Sequence, residues 1–374
     1  MKRTYALAAA ATALALSVAA TPAHAETDDP LDQLTPSRAS SDLPARTAGT
    51  SGTVDVLRIS GSTRITTAVK ASVNRFGDAG SETAAGAVVL SRSDAYADAL
   101  GGSALAGAAG APLLLTPGDA LHPAVETEII RLLGTGAPGG PVYVLGGVAA
   151  VSTGVTDRLV ELGYTVVRLE GIDRYATSVE IARQTAALVP AGQPQIVFAT
   201  TGLNFPDGLA AGATAGGYWS SVVLTKDASI PAPVAAYLDE MNALTVPLVA
   251  VGGAAARARY GWTAEIVGAD RYETAAMVAD FFWADPDTTN DDPTVIGLAT
   301  GLNWPDALAG GANVAGGGPL VLTRTDSLPG STSFAITSIV TSGSPSPVQW
   351  GAVFGGTEAV SYGVKLKFKA LLNQ

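Results

Sequence analysis

The sequence has no cysteine. That absence removes disulfides, thiolate nucleophiles, cysteine-held metals and a lipid-anchoring thiol together. Histidine is almost missing as well. Of the two present, His24 falls in the N-terminal leader described below, which leaves His122 beside Pro123 at an expected helix start. One histidine cannot make a conventional zinc site, so no cofactor is expected. Phe, Trp and Tyr make up only 6% of the chain, which favours close-packed helices of small residues over aromatic-rich surfaces. No P-loop and no nucleophile elbow occurs. "GTGAPG" (Gly134–Gly139) matches a dinucleotide fingerprint in letters only. It precedes a strand instead of following one, and Pro138 spoils the phosphate-cradling geometry.

Positive charge is scarce too, with 22 basic against 33 acidic residues. Two of those basic residues, Lys2 and Arg3, open an export-type leader. "MKRTY" is followed by the apolar "ALAAAATALALSVAA", too short for a comfortable membrane span, and by the small-residue site "AHA" at Ala23–Ala25. Residues 1–25 therefore read as a signal peptide, and the mature chain begins at Glu26 with a net charge of −13 in place of −11. A field of that sign disfavours nucleic acid, and any grip on a polyanion must come from local arginines. Residues 26–53 are rich in Pro, Ser, Thr and Asp without periodicity, and read as a disordered linker. No later stretch reads as a membrane span. The expectation is a secreted protein that stays on the cell only by binding something there.

What the chain has in abundance is repetition. Three signals recur in fixed order. A strand leads to an arginine in "VLRISGSTRI", "VVRLEGIDRY" and "AEIVGADRY". A loop follows in "SDAYADALGG", "GLNFPDGLAAG" and "GLNWPDALAGG". An apolar strand then ends in Gly-Gly in "VYVLGG", "PLVAVGG" and "GAVFGG". The spacing from Arg64 to Asp98, Arg174 to Asp207 and Arg271 to Asp306 is 34, 33 and 35 positions, and from those aspartates to the first glycine 48, 45 and 49. Three copies of one unit, 54–163, 164–262 and 263–374, thus fill the chain after the linker.

Within a unit, apolar strands such as "PLLLT" and "PLVLT" alternate with helices. Runs of Val and Leu suit strands buried on both faces, and strand–helix alternation gives a parallel sheet with right-handed crossovers. Each unit reads as a small doubly wound α/β domain of four strands. The second has little room after Gly253 for a last helix, and the third ends in the helix-like "VKLKFKALL". The small-residue helices "GGSALAGAAG", "LAAGATAGG" and "LAGGANVAGGG" are expected to pack on a sheet or on another unit, around a pseudo-threefold axis or in a row.

The repeated loop follows a strand and opens a helix, where ligands bind in open α/β sheets. Pro206 and Pro305 suit the first helical turn. Asp98, Asp207 and Asp306 either serve the helix dipole there or, with Asn204 and Asn303, point at a ligand. Arg64, Arg174 and Arg271 either bridge to the aspartate of their own unit, contact a ligand, or join units. Asp173 and Asp270 are expected N-caps. Tyr175 and Tyr272 are expected in the core, and the glycine pairs are read as tight turns or anion-binding nests. One aspartate per unit suits a repeated binding feature better than an active site.

"GADRYETA" (Gly268–Ala275), "LNWPDALAGG", "PLVLT" and "VFGGTEAVS" (Val353–Ser361) together resemble the cell wall-binding type 2 repeat of Gram-positive bacteria. The resemblance implies three tandem Rossmann-like or Toprim-like domains in a pseudo-threefold arrangement. It also implies non-covalent attachment to the wall through an anionic secondary polymer. Members usually carry an effector domain; this chain is expected to be an anchor without cargo. The first unit departs most, with "GSTRI" and "AYAD" in place of Asp-Arg-Tyr and Asn-aromatic-Pro-Asp. Two further readings stay open: an enzyme or amidase-enhancer-like modulator acting on peptidoglycan, and a self-assembling surface-layer protein.

Overall fold

Continuous apolar runs bounded by glycine and proline become strands, and the small-residue runs between them become helices. The structure, a computed structural model, describes residues 53–135, 140–284, 293–342 and 348–374. The expected signal peptide, the linker up to residue 52 and part of Gly134–Gly139 lie outside the described residues. In chain order the first part is β1 (Asp55–Ile59), α1 (Arg64–Arg75), β2 (Val88–Arg92), α2 (Gly102–Ala108), β3 (Leu113–Thr116), α3 (Pro123–Leu133), β4 (Val142–Leu145) and α4 (Thr153–Glu161). The second is β5 (Val166–Leu169), α5 (Arg174–Leu188), β6 (Val197–Thr201), α6 (Pro206–Gly217), β7 (Ser221–Thr225), α7 (Ala232–Ala243), β8 (Leu248–Val251) and α8 (Gly253–Ala256). The third is β9 (Ala264–Ile266), α9 (Arg271–Trp283), β10 (Val295–Thr300), α10 (Pro305–Val314), β11 (Leu320–Thr323), α11 (Gly330–Val340), β12 (Trp350–Phe354) and α12 (Tyr362–Leu371). The last helix of the second repeat has shrunk to the single turn α8, as its short spacing requires.

Three parallel sheets of four strands result, ordered β3-β2-β4-β5, β7-β6-β8-β9 and β11-β10-β12-β1. Strands such as β3, β7 and β10 are buried on both faces, as the Val and Leu runs require, whereas β1, β5 and β9 at the sheet edges are partly exposed. The sheets do not coincide with the units read from the sequence. The strand that opens each repeat completes the sheet of the repeat before it: β5 pairs with β4, and β9 with β8. β1 has no preceding repeat and pairs with β12, from Asp55 opposite Trp350 to Ile59 opposite Phe354. The physical reason is the crossover. After β4 the chain returns over α4 and lands, parallel, on the open edge of the sheet it has just left. Each hydrogen-bonded body therefore starts at α1, α5 or α9, and the N-terminal strand closes the ring.

That closure is reinforced at both chain ends. Val54 N–H donates to Asn373 Oδ1 at 2.7 Å, Asn373 Nδ2 donates to Val54 O at 3.0 Å, and Lys369 pairs with Asp55 at 2.6 Å. Between the first and third bodies, Arg75 caps the end of α10 by donating to Ala312 O (2.6 Å) and Asn313 O (2.9 Å). Burial pulls the Arg75 guanidinium down to about 10.

At the centre α2, α6 and α10 pack on one another, which settles the packing of the small-residue helices in favour of mutual contact. Side chains are small there because backbones meet. A Cβ on Gly107 would lie 2.3 Å from Gly216 O. Ser103 Oγ donates to Leu308 O at 3.2 Å across the same centre.

Candidate functional site

The loops leaving β2, β6 and β10 gather at the carboxyl ends of their strands, above the three central helices. Asp207 and Asp306 occupy the first turn of α6 and α10 behind Pro206 and Pro305. The first repeat lacks that proline, and its helix α2 begins only at Gly102, four residues past Asp98. Each carboxylate lies against the first glycine of the Gly-Gly pair. Gly146, Gly252 and Gly355 have φ of 90°, 86° and 102°, and a Cβ on them would come within 2.6, 1.9 and 2.6 Å of Asp98, Asp207 and Asp306 Oδ2. The glycines thus serve both a left-handed turn and the seat of an aspartate.

The arginines stand at the first position of α1, α5 and α9, behind the N-caps Thr63, Asp173 and Asp270. Each reaches across its own loop: Arg64 Nη1 donates to Ser93 O (2.8 Å), Arg174 to Gly202 O (2.8 Å) and Arg271 to Gly301 O (2.7 Å). The expected bridge to the aspartate of the same unit is not formed. The charges act on one another between units instead, because the arginine sits just past the strand that completes the preceding sheet. Asp98 feels Arg174, Asp207 feels Arg271, and Asp306 feels Arg64. Among the described residues, none of these pairs closes to an ion pair within 4 Å.

Burial dominates all three carboxylates. It pushes Asp98 up against the pull of Arg174 and Arg92, and Asp306 up against a Thr67 hydrogen bond and Arg64. Asp207 is pushed up to about 6, with Arg271 opposing. Asn204 and Asn303 are exposed, and their Oδ1 atoms accept from the next backbone N–H, of Phe205 at 2.9 Å and Trp304 at 3.0 Å.

The residues immediately before the Pro-Asp (or Ala-Asp) step were given no role in the sequence reading. Tyr96, Phe205 and Trp304 meet at the axis, with the Tyr96 ring 5.6 Å from Phe205 and 6.4 Å from Trp304. Arg64 lies over Trp304 at 5.4 Å, Arg271 over Phe205 at 5.8 Å, and Tyr96 Oη donates to Leu203 O at 3.0 Å. The one available signal was an aromatic at the same place in every copy. Tyr175 and Tyr272 are buried, as expected. His122 caps α3, its Nδ1 accepting from Ala124 N–H at 3.2 Å. Among the described residues no group of acidic or histidine side chains could hold a metal, and no helix is long and apolar enough to cross a membrane.

Each junction therefore offers a half-buried carboxylate as acceptor and a guanidinium with donors to spare, a pair that occurs three times and suits hydroxyl-bearing ligands; at two of them the arginine also lies over an aromatic ring.

The model of the family "Cell wall binding domain 2 (CWB2)" matches residues 58–156, 168–258 and 265–365. The N-acetylmuramoyl-L-alanine amidase LytC of Bacillus subtilis (strain 168) is 26% identical over 258 residues, which are 68% of this chain and 47% of LytC. The structure of Cwp8 from Clostridium difficile superposes with a TM-score of 0.71 at 25% identity, over 86% of this chain and 52% of Cwp8. Cwp6 from Clostridium difficile has the same fold, with a TM-score of 0.69 at 19% identity, over 86% of this chain and 48% of Cwp6. The chain thus matches about half the length of each of these relatives. With three matched segments covering most of its length, the chain belongs to the Cell wall binding domain 2 family.

Proposed function

We propose that this is a secreted, non-catalytic cell-wall-binding protein, which attaches non-covalently to an anionic secondary wall polymer through its three repeats. The carrying observation is the threefold junction of Asp98/Arg174, Asp207/Arg271 and Asp306/Arg64 around Tyr96, Phe205 and Trp304, in a chain matched three times by one wall-binding family. The arginines and aspartates contact the ligand, with Asn204 and Asn303 at its exposed margin. Repeated, separate sites give a polymer several weak holds, whose combined effect exceeds any one.

Retention on purified walls, before and after removal of their acid-labile polymers, tests the reading. The protein is expected to be retained on intact walls and lost from stripped ones; equal retention would refute the polymer as its ligand. The likeness to an amidase favours one alternative, a modulator or enzyme acting on peptidoglycan. It requires muropeptide release by the purified protein, or enhanced release by an added amidase, that is lost with Asp207→Asn.

A further inference from the structure

The helix that follows the glycine pair occupies the same place beside each sheet edge, and its charge differs in each copy. α4 carries Asp157, Arg158 and Glu161. α8 is the uncharged turn Gly253–Ala256. α12 carries Lys365, Lys367 and Lys369 and no acid. The sequence has lysine at positions 2, 70, 226, 365, 367 and 369, so half of its lysines stand on this one helix of a strongly acidic chain. The fold fills the same position with a mixed acidic helix and with a single turn, so packing does not call for the lysines. The buried contacts of α12 come from Val364 and Phe368.

Local structure accounts for only one of the three. Lys369 lies in the last turn, where the helix dipole favours a cation, and it pairs with Asp55. Lys365 lies in the N-terminal half, where the dipole gives it nothing, and it has no ion pair among the described residues. Its charged surroundings are Arg58 and Lys369, against the single acid Asp55. Burial first, then those two cations, hold its ammonium below the usual range. Arg58 is fixed on β1 by donating to Gly355 O (2.7 Å) and Val360 O (2.8 Å), so it cannot swing away. Lys367 is exposed, as are Tyr362 and Leu366 on the same helix.

We propose that α12 together with Arg58 is a second, separate anion-binding face, which takes a linear polyanion of the phosphodiester type. This rests on the reading of an anionic wall polymer, and divides its recognition in two. Each junction sets a carboxylate against an arginine and is close to neutral, so it suits hydroxyls. On α12, by contrast, Lys365 and Lys367 have no ion pair among the described residues. Lys365 and Lys369 are one turn apart, roughly 6 Å along the axis, with Arg58 beside Lys365; Asp55 partly offsets Lys369, which leaves Lys365, Lys367 and Arg58 to meet a chain of regularly spaced charges. An anionic bilayer is the competing partner; a helix that exposes only Tyr362 and Leu366 as large apolar groups has little to insert.

The test uses the purified chain and its Lys365→Gln/Lys367→Gln variant, with linear polyphosphate as the probe, titrated across a salt series. Lys367 is exposed and Lys365 partly buried, and unchanged melting checks the fold. The variant is expected to bind polyphosphate at least about tenfold more weakly at low salt. Its slope of log affinity against log salt should fall by roughly 1.4, the contribution of two cations on a single-stranded polyanion. An Asp207→Asn/Arg271→Gln variant is expected to bind polyphosphate like the parent while losing retention on walls. Polyphosphate binding unchanged in the lysine variant would overturn the proposal, as would tighter binding to anionic lipid vesicles than to polyphosphate. Polyphosphate bound through α12 by a protein that ignores walls would sink the wall reading and leave this one standing. Wall retention with lysine-independent polyphosphate binding would do the reverse.

Discussion

Asp207→Asn separates a structural carboxylate from one kept for a ligand. Burial raises the Asp207 pKa from 3.8 to about 6, with Arg271 pulling the other way. A raised value means that the folded protein holds this proton more tightly than the unfolded chain does. Between 3.8 and about 6 the folded state carries the extra proton. The group's contribution to stability therefore falls as pH rises through that window and stays lost above it. At roughly 1.36 kcal/mol per pH unit, the ceiling is about 3 kcal/mol. The favourable position in the first turn of α6 offsets roughly 0.3–1 kcal/mol of that. Asparagine keeps the shape and removes the charge. The variant is expected to melt several degrees higher near neutral pH, at roughly 2–4 °C per kcal/mol for a chain of this size unfolding as one unit. Its melting temperature should also vary less between about pH 4 and about pH 6 than the parent's, while its retention on walls falls. The assay is a series of thermal melts by circular dichroism across pH, beside the wall pull-down. A variant that melts lower than the parent at neutral pH, with the pH slope intact, would show that the carboxylate is part of the scaffold and that this reasoning is wrong.

Two further outcomes follow from the geometry. Gly252→Ala puts a Cβ 1.9 Å from Asp207 Oδ2 at a φ of 86°, whereas the Cβ of Gly253→Ala meets nothing closer than 3.5 Å. Urea unfolding should show a loss of about 1–3 kcal/mol for the first from backbone strain alone, and little change for the second; equal effects would contradict the glycine's double role. Removing residues up to Ser60 takes away β1 and uncovers Trp350–Phe354 as an open edge. The shortened chain should melt lower and associate with rising concentration, as light scattering would report; a monomer with unchanged melting would mean that the ring closure contributes nothing.

The sequence alone determined that the chain is a triplicated α/β unit with parallel sheets, because apolar strand runs and small-residue helices recur at fixed spacing. It also singled out the aspartates, the arginines and the glycine pairs by their recurrence. It could not say which copy's arginine meets which aspartate. Arg174 lies 33 positions from Asp207 and 76 from Asp98, and sequence distance favoured the wrong partner. That choice was made when β5, β9 and β1 each paired with the preceding sheet, since edge hydrogen bonds form wherever the crossover sets the strand down. The meeting of Tyr96, Phe205 and Trp304 was decided in the same way. Three loops a hundred residues apart share an axis only because α2, α6 and α10 can approach to backbone contact. Local sequence carries the propensity of each element, but the burial and pairing that bring distant copies together exist only once the chain has closed on itself.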